Sequence, residues 1–417
     1  MNPTIKARIE SIRRGEVPEG YKRTKIGIVP NEWVTNVTLK SICTINPKTE
    51  QLPDQFIYID LESVVDGVLV SKKIIKKSNA PSRAQRVLQV NDVIYQMVRP
   101  YQRNNYLFCH ESKCYKYVAS TGYAQLRAKC YAFLYYLINS DYFCAQVLEK
   151  CTGSNYPAIN SEDLASISIT YPKKEAEQQK IAEILAGQDR VIALKEKLLA
   201  EKQKQKKYLM QQLLTAKKRL PGFSGEWKKS LLGDLFRERV ETNCTELRLL
   251  AITGGQGVIP RDELELKDNS SEDKSKYKKI CVGDIGYNTM RMWQGVSAFS
   301  NYEGIVSPAY TILMPNSEID AKFFAYLFKL PSIIFLFYRY SQGLVDDTRN
   351  LKYENLKRIR VLFPQDKKEQ SAIAEILSTA DKEIELLKKD IEQEKLKKKS
   401  LMQLLLTGIV RVDELVS

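Results

Sequence analysis

The segment Glu177-Gln178-Gln179-Lys180-Ile181-Ala182-Glu183-Ile184-Leu185 occurs twice in this chain. Its second copy, Glu369-Gln370-Ser371-Ala372-Ile373-Ala374-Glu375-Ile376-Leu377, lies at an offset of 192 residues (369 − 177). The register continues without a gap. Asp189 meets Asp381, Ile192 meets Ile384, Lys206-Lys207 meets Lys398-Lys399, and Leu213-Leu214-Thr215 closes against Leu405-Leu406-Thr407, with 19 of 39 positions identical. Shared helix composition explains scattered matches among Lys, Glu and Leu, but not an ungapped register ending on the same tripeptide, so the chain is an internal duplication. The same offset aligns Asp92, Tyr95, Arg99 and Gln102 with Asp284, Tyr287, Arg291 and Gln294. Glu32-Trp33 echoes Glu226-Trp227, and Pro172 and Pro364 precede the two copies. The repeat therefore includes a globular part, and the order is globular, helix, globular, helix.

Between Glu175 and Thr215 there is no proline and one glycine, Gly187. Lys, Glu, Gln, Leu and Ala dominate, which are strong helix formers, so the spacing predicts one long helix. Leu185, Ile192 and Leu199 recur every seven residues, and Leu377, Ala380, Ile384, Leu387 and Ile391 fall at coiled-coil a and d spacing. Each apolar stripe requires a partner. About 40 residues at 1.5 Å rise form a rod of roughly 60 Å, and pairing the two rods as an antiparallel coiled coil buries both stripes. That arrangement gives the duplicated chain a pseudo-two-fold axis with a globular copy at each end. The alternative is that each helix docks on its own globular region.

The globular stretches are richer in β-branched and aromatic residues. Val93-Ile94-Tyr95, Ile167-Ser168-Ile169 and Ile359-Arg360-Val361-Leu362-Phe363 read as strands, and Tyr131 to Lys150 and Ala321 to Tyr338 as helices. The expected fold class is mixed α/β: two α/β domains separated by two long antiparallel coiled-coil helices. The expected boundaries are 1–172 for the first globular domain, 173–216 for the central helix, 217–364 for the second globular domain and 365–417 for the C-terminal helix.

A net charge of +15 with 65 Lys and Arg against 50 Asp and Glu favours a polyanionic partner. The longest apolar stretch, Ser332 to Tyr338, is far short of the ~20 residues of a membrane span. The first residues, Met1 to Arg14, do not read as a secretory signal, so a cytoplasmic protein is expected. The 8 cysteines lack paired spacing and are expected as reduced core thiols. With one histidine, His110, neither a histidine metal site nor histidine acid-base catalysis is expected. No phosphate-binding loop is present, and Gly254-Gly255-Gln256-Gly257 reads as a turn. Asp262-Glu263-Leu264-Glu265-Leu266-Lys267 resembles a nuclease acidic pair with its lysine but sits in a charged, loop-like stretch. Asn46-Pro47-Lys48 lacks the aromatic that would stack a flipped base. The expectation is a chain that is not an enzyme and holds no metal.

Two equivalent segments carry the residues suited to reading DNA. Arg99, Tyr101, Gln102, Arg103, Asn104 and Asn105 follow the first predicted strand, and Arg291, Trp293 and Gln294 follow its counterpart. Arginine donates two hydrogen bonds to guanine or grips phosphate, and Gln or Asn pairs with adenine. Bracing of the fold is the competing role for the shared arginines; residues that differ between copies are better candidates for base specificity. Lys195, Lys197, Lys202, Lys204, Lys206 and Lys207, with the copy around Lys395 to Lys399, either track phosphates or form a solvated helix surface.

Together, the duplicated helices opening with Glu177-Gln178-Gln179-Lys180-Ile181-Ala182-Glu183-Ile184-Leu185 and closing with Leu-Leu-Thr, and the segments Gly283-Asp284-Ile285-Gly286-Tyr287-Asn288-Thr289-Met290-Arg291-Met292-Trp293-Gln294-Gly295 and Ile305-Val306-Ser307-Pro308-Ala309-Tyr310, carry a family resemblance. The chain resembles the specificity subunit of type I restriction-modification systems along nearly its whole length. The first recognition region departs from the pattern, with Ser120-Thr121-Gly122-Tyr123 where the second has Ser307-Pro308-Ala309-Tyr310. The resemblance implies double-stranded DNA as ligand, read as a split sequence with one half per domain. It implies two modification (methyltransferase) subunits held by the helices, through Glu177, Gln178, Ile181, Ile184 and Leu185 and through Glu369, Gln370, Ile373, Ile376 and Leu377. S-adenosylmethionine, ATP and Mg2+ would belong to those partners and to restriction subunits, with no cofactor in this chain. The competing functions are a stand-alone coiled-coil DNA-binding or assembly protein, and a self-sufficient nuclease or methyltransferase.

Overall fold

The computed structural model describes residues 3–24, 27–48, 51–111, 114–153, 155–255, 257–264 and 273–412. Two long helices dominate, Glu175–Leu213 of 39 residues and Lys367–Leu406 of 40. Each begins just beyond a strand, Ser168–Tyr171 or Arg360–Pro364. In both, a first-turn glutamine ties the helix to that approach: Gln178 Nε2 donates to the Pro172 carbonyl and Gln370 Nε2 to the Pro364 carbonyl, each at 2.9 Å.

The chain divides into two compact units, Met1–Lys195 with Asp390–Ser417, and Glu196–Lys389. Each unit therefore takes the first half of one long helix and the second half of the other. In the first unit the two halves run antiparallel, because ascending positions on one meet descending positions on the other. Asp189 pairs with Lys398 at 2.6 Å and Lys195 with Asp390 at 2.7 Å, while Gln188 Nε2 donates to Glu394 at 2.7 Å. The second unit repeats this with Lys202 to Glu383 at 2.7 Å and Lys206 to Asp381. The lysines at 195, 202, 206 and 398 thus cross-link helices.

The same helix positions enter each core. Ile181, Ala182 and Leu185 join Leu405 and Leu406 in the first unit, and Ile373, Ala374 and Leu377 join Leu213 and Leu214 in the second. Full burial of each Leu or Ile stabilises by roughly 1.5–3 kcal/mol, so the repeated apolar positions hold each helix end to its globular region as well as to the other helix. Both packings considered from the sequence therefore occur together.

The recognition regions are mixed α/β. In the first, a four-stranded sheet has the order Tyr106–Leu107, Val93–Gln96, Tyr123–Arg127, Thr44–Ile45. In the second, the equivalent order is Ser297–Phe299, Ile285–Asn288, Tyr310–Pro315, Phe236–Arg239. A further sheet differs between them. The first unit has four strands, Lys73–Lys76, Gln55–Ile59, Lys116–Ser120 and Ala84–Val87, with a parallel central pair. The second has a hairpin, Leu250–Thr253 with Gly257–Pro260, and a separate pair, Lys278–Ile280 with Gly304–Val306.

Each stretch expected as one helix is two. The first is Tyr131–Ile138 and Asp141–Lys150, with the Ser140 side chain capping the second helix by accepting from the Phe143 N–H. The second is Ala321–Leu327 and Pro331–Tyr340, bent by 83° where Pro331 opens the next helix. Phe323, Phe324, Phe328 and Phe337 from this pair are fully buried core residues. Among the described residues no single helix is long and apolar enough to cross a membrane.

Candidate nucleic-acid interface

In each unit a buried strand leads into a short 3₁₀ turn that carries the candidate base-reading residues. A buried aspartate fixes the start of the strand. Asp92 accepts from the Gln89 N–H, the Gln125 amide and both Arg127 Nε and Nη2, at 2.7–2.9 Å. Asp284 accepts from the Cys281 N–H and from Arg239 Nε and Nη2, and these bonds raise the Arg239 pKa above its ordinary value. The aspartate is shared, whereas its arginine comes from the strand Tyr123–Arg127 in one unit and Phe236–Arg239 in the other. Tyr95 and Tyr287, further along the strands, are fully buried. Both shared pairs are structural.

The first turn spans Pro100–Gln102 and is flanked by two non-glycine residues in the left-handed region, Arg99 at φ 55 and Arg103 at φ 52. Such backbone costs on the order of 1–3 kcal/mol per residue and concentrates at functional sites. The Arg99 guanidinium lies over the ring of Tyr156, 4.5 Å from its centre, and its N–H donates to the Pro157 carbonyl at 2.7 Å. Tyr101 and Gln102 are exposed, with the Gln102 side-chain oxygen accepting from Gln96 Nε2 at 2.9 Å. Arg103 is engaged with Asp141 at 2.7 Å and the Asn139 carbonyl at 3.2 Å. Asn104 accepts from the Asp66 N–H. Asn105 is 1% exposed, accepting from the Gln96 N–H and donating to Asn139, so its amide is engaged inside the fold.

The second turn, Met292–Gln294, presents Arg291 and Gln294 to solvent and ends at Gly295, φ 80. Trp293 is half-buried, with its indole N–H donating to the Met290 carbonyl at 2.9 Å and its ring 6.3 Å from that of Tyr338. Arg349 lies 4.1 Å from the Tyr338 ring centre and donates to its hydroxyl at 2.9 Å. An exposed glutamine near a stacked aromatic–arginine pair thus recurs in the two units: in the first the stacked arginine is the half-buried Arg99 itself, in the second it is Arg349, with Arg291 exposed on the turn. Stacked guanidinium and aromatic planes beside donor side chains suit contact with bases and phosphates.

Tyr156, Tyr338 and Arg349 were not singled out from the sequence. They lie on or beside loops that follow the second helix of each pair, and each loop turns on a glycine with positive φ, Gly153 at 90 and Gly343 at 127. At Gly343 a Cβ would sit 2.6 Å from the Thr348 carbonyl oxygen, so the turn demands glycine. Glycine three to five residues beyond a predicted helix, Gly153 after Lys150 and Gly343 after Tyr338, was the available signal. Glu265, Leu266 and Lys267 of the nuclease-like run, and Gln256, lie outside the described residues; Asp262 is ion-paired with Arg248 at 2.7 Å.

Most of the helix residues expected to hold partner subunits face this chain instead. Glu177 accepts from Arg411 at 2.9 Å and from the Trp33 indole at 3.4 Å, and Glu369 accepts a bidentate pair from Arg219 at 2.7 and 2.8 Å. Gln178 and Gln370 are buried by the bonds described above, and Ile181, Leu185, Ile373 and Leu377 lie in the cores. These positions are engaged in intrachain packing. Ile184 is half-buried and Ile376 is 36% exposed. Ile376 lines a groove of about 460 Å3 with Lys202, Leu209, Ala372 and Ala380 in the second unit.

A model of the type I restriction modification DNA specificity domain matches residues 30–204 and again residues 224–395. The chain belongs to this specificity family. Each match covers one recognition region and most of the long helix behind it, the unit of the internal duplication. The specificity chain is 24% identical over 431 residues to the putative type I restriction enzyme MjaX specificity subunit of Methanocaldococcus jannaschii, covering 94% of this chain and 97% of that one. It is 38% identical to the MjaVIII specificity subunit of the same organism over 88 residues, which is 21% of this chain and 20% of the relative. Among solved structures, a chain from work on complex assembly and conformational transition of the type I R-M system superposes with a TM-score of 0.59 at 21% identity, covering 92% of this chain and 99% of that one. The S subunit of a type I restriction-modification system from M. genitalium gives 0.54 at 16% identity, covering 89% and 96%. These likenesses establish the fold of the specificity chain.

Proposed function

We propose that this specificity chain is the sequence-reading, non-catalytic component of a type I restriction-modification complex, and that it binds a bipartite duplex with one half-site per unit. The observation that carries the reading is the duplicated turn, with Arg99 and Gln102 in one unit and Arg291 and Gln294 in the other, and an aromatic–arginine stack at each, Arg99 on Tyr156 and Arg349 on Tyr338. The two recognition surfaces differ in their remaining side chains, which supports different bases in the two halves. The shared helices act as the spacer, and partly exposed positions such as Ile184 and Ile376 receive two modification subunits. Those subunits supply S-adenosylmethionine-dependent methylation; restriction subunits supply ATP- and Mg2+-dependent translocation and cleavage.

The test is selection from a random duplex library by the chain reconstituted with its modification subunits. A gapped motif with two defined halves is expected. An uninterrupted motif, or enrichment of no motif, refutes the reading.

A further inference from the structure

The two turns are braced from the same place in the fold by side chains of opposite hydrogen-bonding sense. In the second unit Lys329 stands at the corner between Ala321–Leu327 and Pro331–Tyr340, and its Nζ donates to the carbonyls of Gly295 at 2.7 Å and Ser297 at 2.6 Å. These residues lead the chain out of the Met292–Gln294 turn. In the first unit the corner between Tyr131–Ile138 and Asp141–Lys150 is Asn139. There the Asn139 carbonyl accepts from Arg103 at 3.2 Å and its side-chain oxygen accepts from Asn105 Nδ2 at 3.0 Å.

The correspondence is positional. Arg103 and Asn105 align with Gly295 and Ser297 at the repeat offset of 192 (295 − 103). Asn139 and Lys329 each lie three residues after a tyrosine, Tyr136 or Tyr326, whose hydroxyl donates to the repeated aspartate, Asp189 or Asp381, at 2.8 Å. The corner residue therefore meets the same two turn positions in both units. In one unit it accepts from turn side chains; in the other it donates to turn backbone.

We propose that this corner position, Asn139 in the first unit and Lys329 in the second, is a positioning residue that sets the pose of the recognition turn and so determines how sharply each half-site is discriminated. This rests on the proposed function above. Base-edge hydrogen bonds need heavy atoms within a few tenths of an ångström of their ideal separation. At the exit of the second turn Gly295 packs closely on Ile334, whose Cδ1 would lie 2.8 Å from a Cβ there, and the Lys329 ammonium ties its carbonyl. Lys329 is a costly residue to place here: burial, with Lys206 nearby, pushes its pKa down to about 8. Among the described residues its ammonium has the two turn carbonyls as partners and no carboxylate. A charge held at that cost with both bonds on one turn is accounted for by a bracing role. The first unit reaches the same end through side chains, which commits Arg103 and Asn105 to the brace and leaves Tyr101 and Gln102 toward solvent.

The experiment compares wild type, Lys329→Met, Lys329→Gln and Asn139→Ala, each in the complete complex with its modification subunits, by selection from the same random duplex library and by thermal unfolding. Lys329→Gln keeps N–H donors without the charge and covers the case in which Lys329→Met fails to fold. Lys329→Met is expected to lose about tenfold or more of the discrimination in one half of the motif, within the range of a single base-reading contact, with the other half unchanged. Lys329→Gln is expected to lose less in that same half, and Asn139→Ala to erode the opposite half. Unchanged discrimination in folded Lys329 variants, or equal loss in both halves, overturns the inference. Wild type that enriches no gapped motif overturns the proposed function instead.

Discussion

At the scale of single residues, repetition in the sequence mixes two kinds of position that burial separates. Asp92 and Asp284 recur because each closes a buried hydrogen-bond network at the start of the strand that feeds a recognition turn. Arg99 and Arg291, with Gln102 and Gln294, recur on the far side of that strand, half-buried or exposed. The two sets should respond differently to substitution. Asp284→Ala removes the main partner of Arg239, whose side chain is 14% exposed, and leaves it the ion pair to Glu241 at 2.6 Å. Breaking a buried pair from one side costs about 3–5 kcal/mol, and the remaining Glu241 contact places this variant near the lower end. Gln294→Ala, on an exposed turn, should stay within about 0.5 kcal/mol. Denaturant unfolding of the two variants checks the contrast; equal stabilities would mean that the Asp284 network is not structural.

At the scale of elements, the long helices were legible because their evidence is local: helix-forming composition, a seven-residue apolar period and an ungapped copy. The role of the Glu-Gln opening was not. Its recurrence reflects capture of Arg411 and Arg219, and of the Pro172 and Pro364 carbonyls, within the chain, and those partners are distant in sequence or carry no side-chain signature. The recognition sheets were equally hidden, since Gln55–Ile59 pairs in parallel with Lys116–Ser120 across a long intervening stretch. Two predictions belong to the helices. Lys195 and Gln188 hold the Glu394 carboxyl down to about 2, against an ordinary value near 4.5. A carboxylate lowered by folding contributes stability that is present above its unfolded pKa and lost as pH falls toward the folded one. Helix pairing in the first unit should therefore weaken between about pH 4.5 and 2, and Glu394→Gln should flatten that dependence, as read by helical circular dichroism under mild denaturant. Gly187, exposed in mid-helix with open space where a Cβ would stand, is the second site. Gly187→Ala should raise stability by roughly 0.5–1 kcal/mol, with a measured loss arguing against a regular helix there.

At the scale of the molecule, the net charge of +15 does not map simply onto a DNA surface, because lysines that looked available in sequence are consumed between helices. Electrostatic attraction then falls more heavily on the recognition regions, where arginines stack on tyrosines beside the exposed turns. The two turns belong to separate compact units, each braced by hydrogen bonds within its own unit. Contacts that share no partners make energetically additive contributions, within about 0.3–0.5 kcal/mol. Arg99→Ala and Arg291→Ala should therefore each weaken DNA binding by the complete complex, and the double variant should lose close to the total of the two. If both guanidiniums grip phosphate, each substitution also lowers the slope of log affinity against log salt by about 1; if they read bases, the slope stays and one half of the motif relaxes. Fluorescence anisotropy over a salt series, with the selected duplex and with single-base changes in each half, separates these outcomes. A coupling well above 1 kcal/mol between the two substitutions would show that the halves are read in concert, and would refute independent reading by two duplicated units.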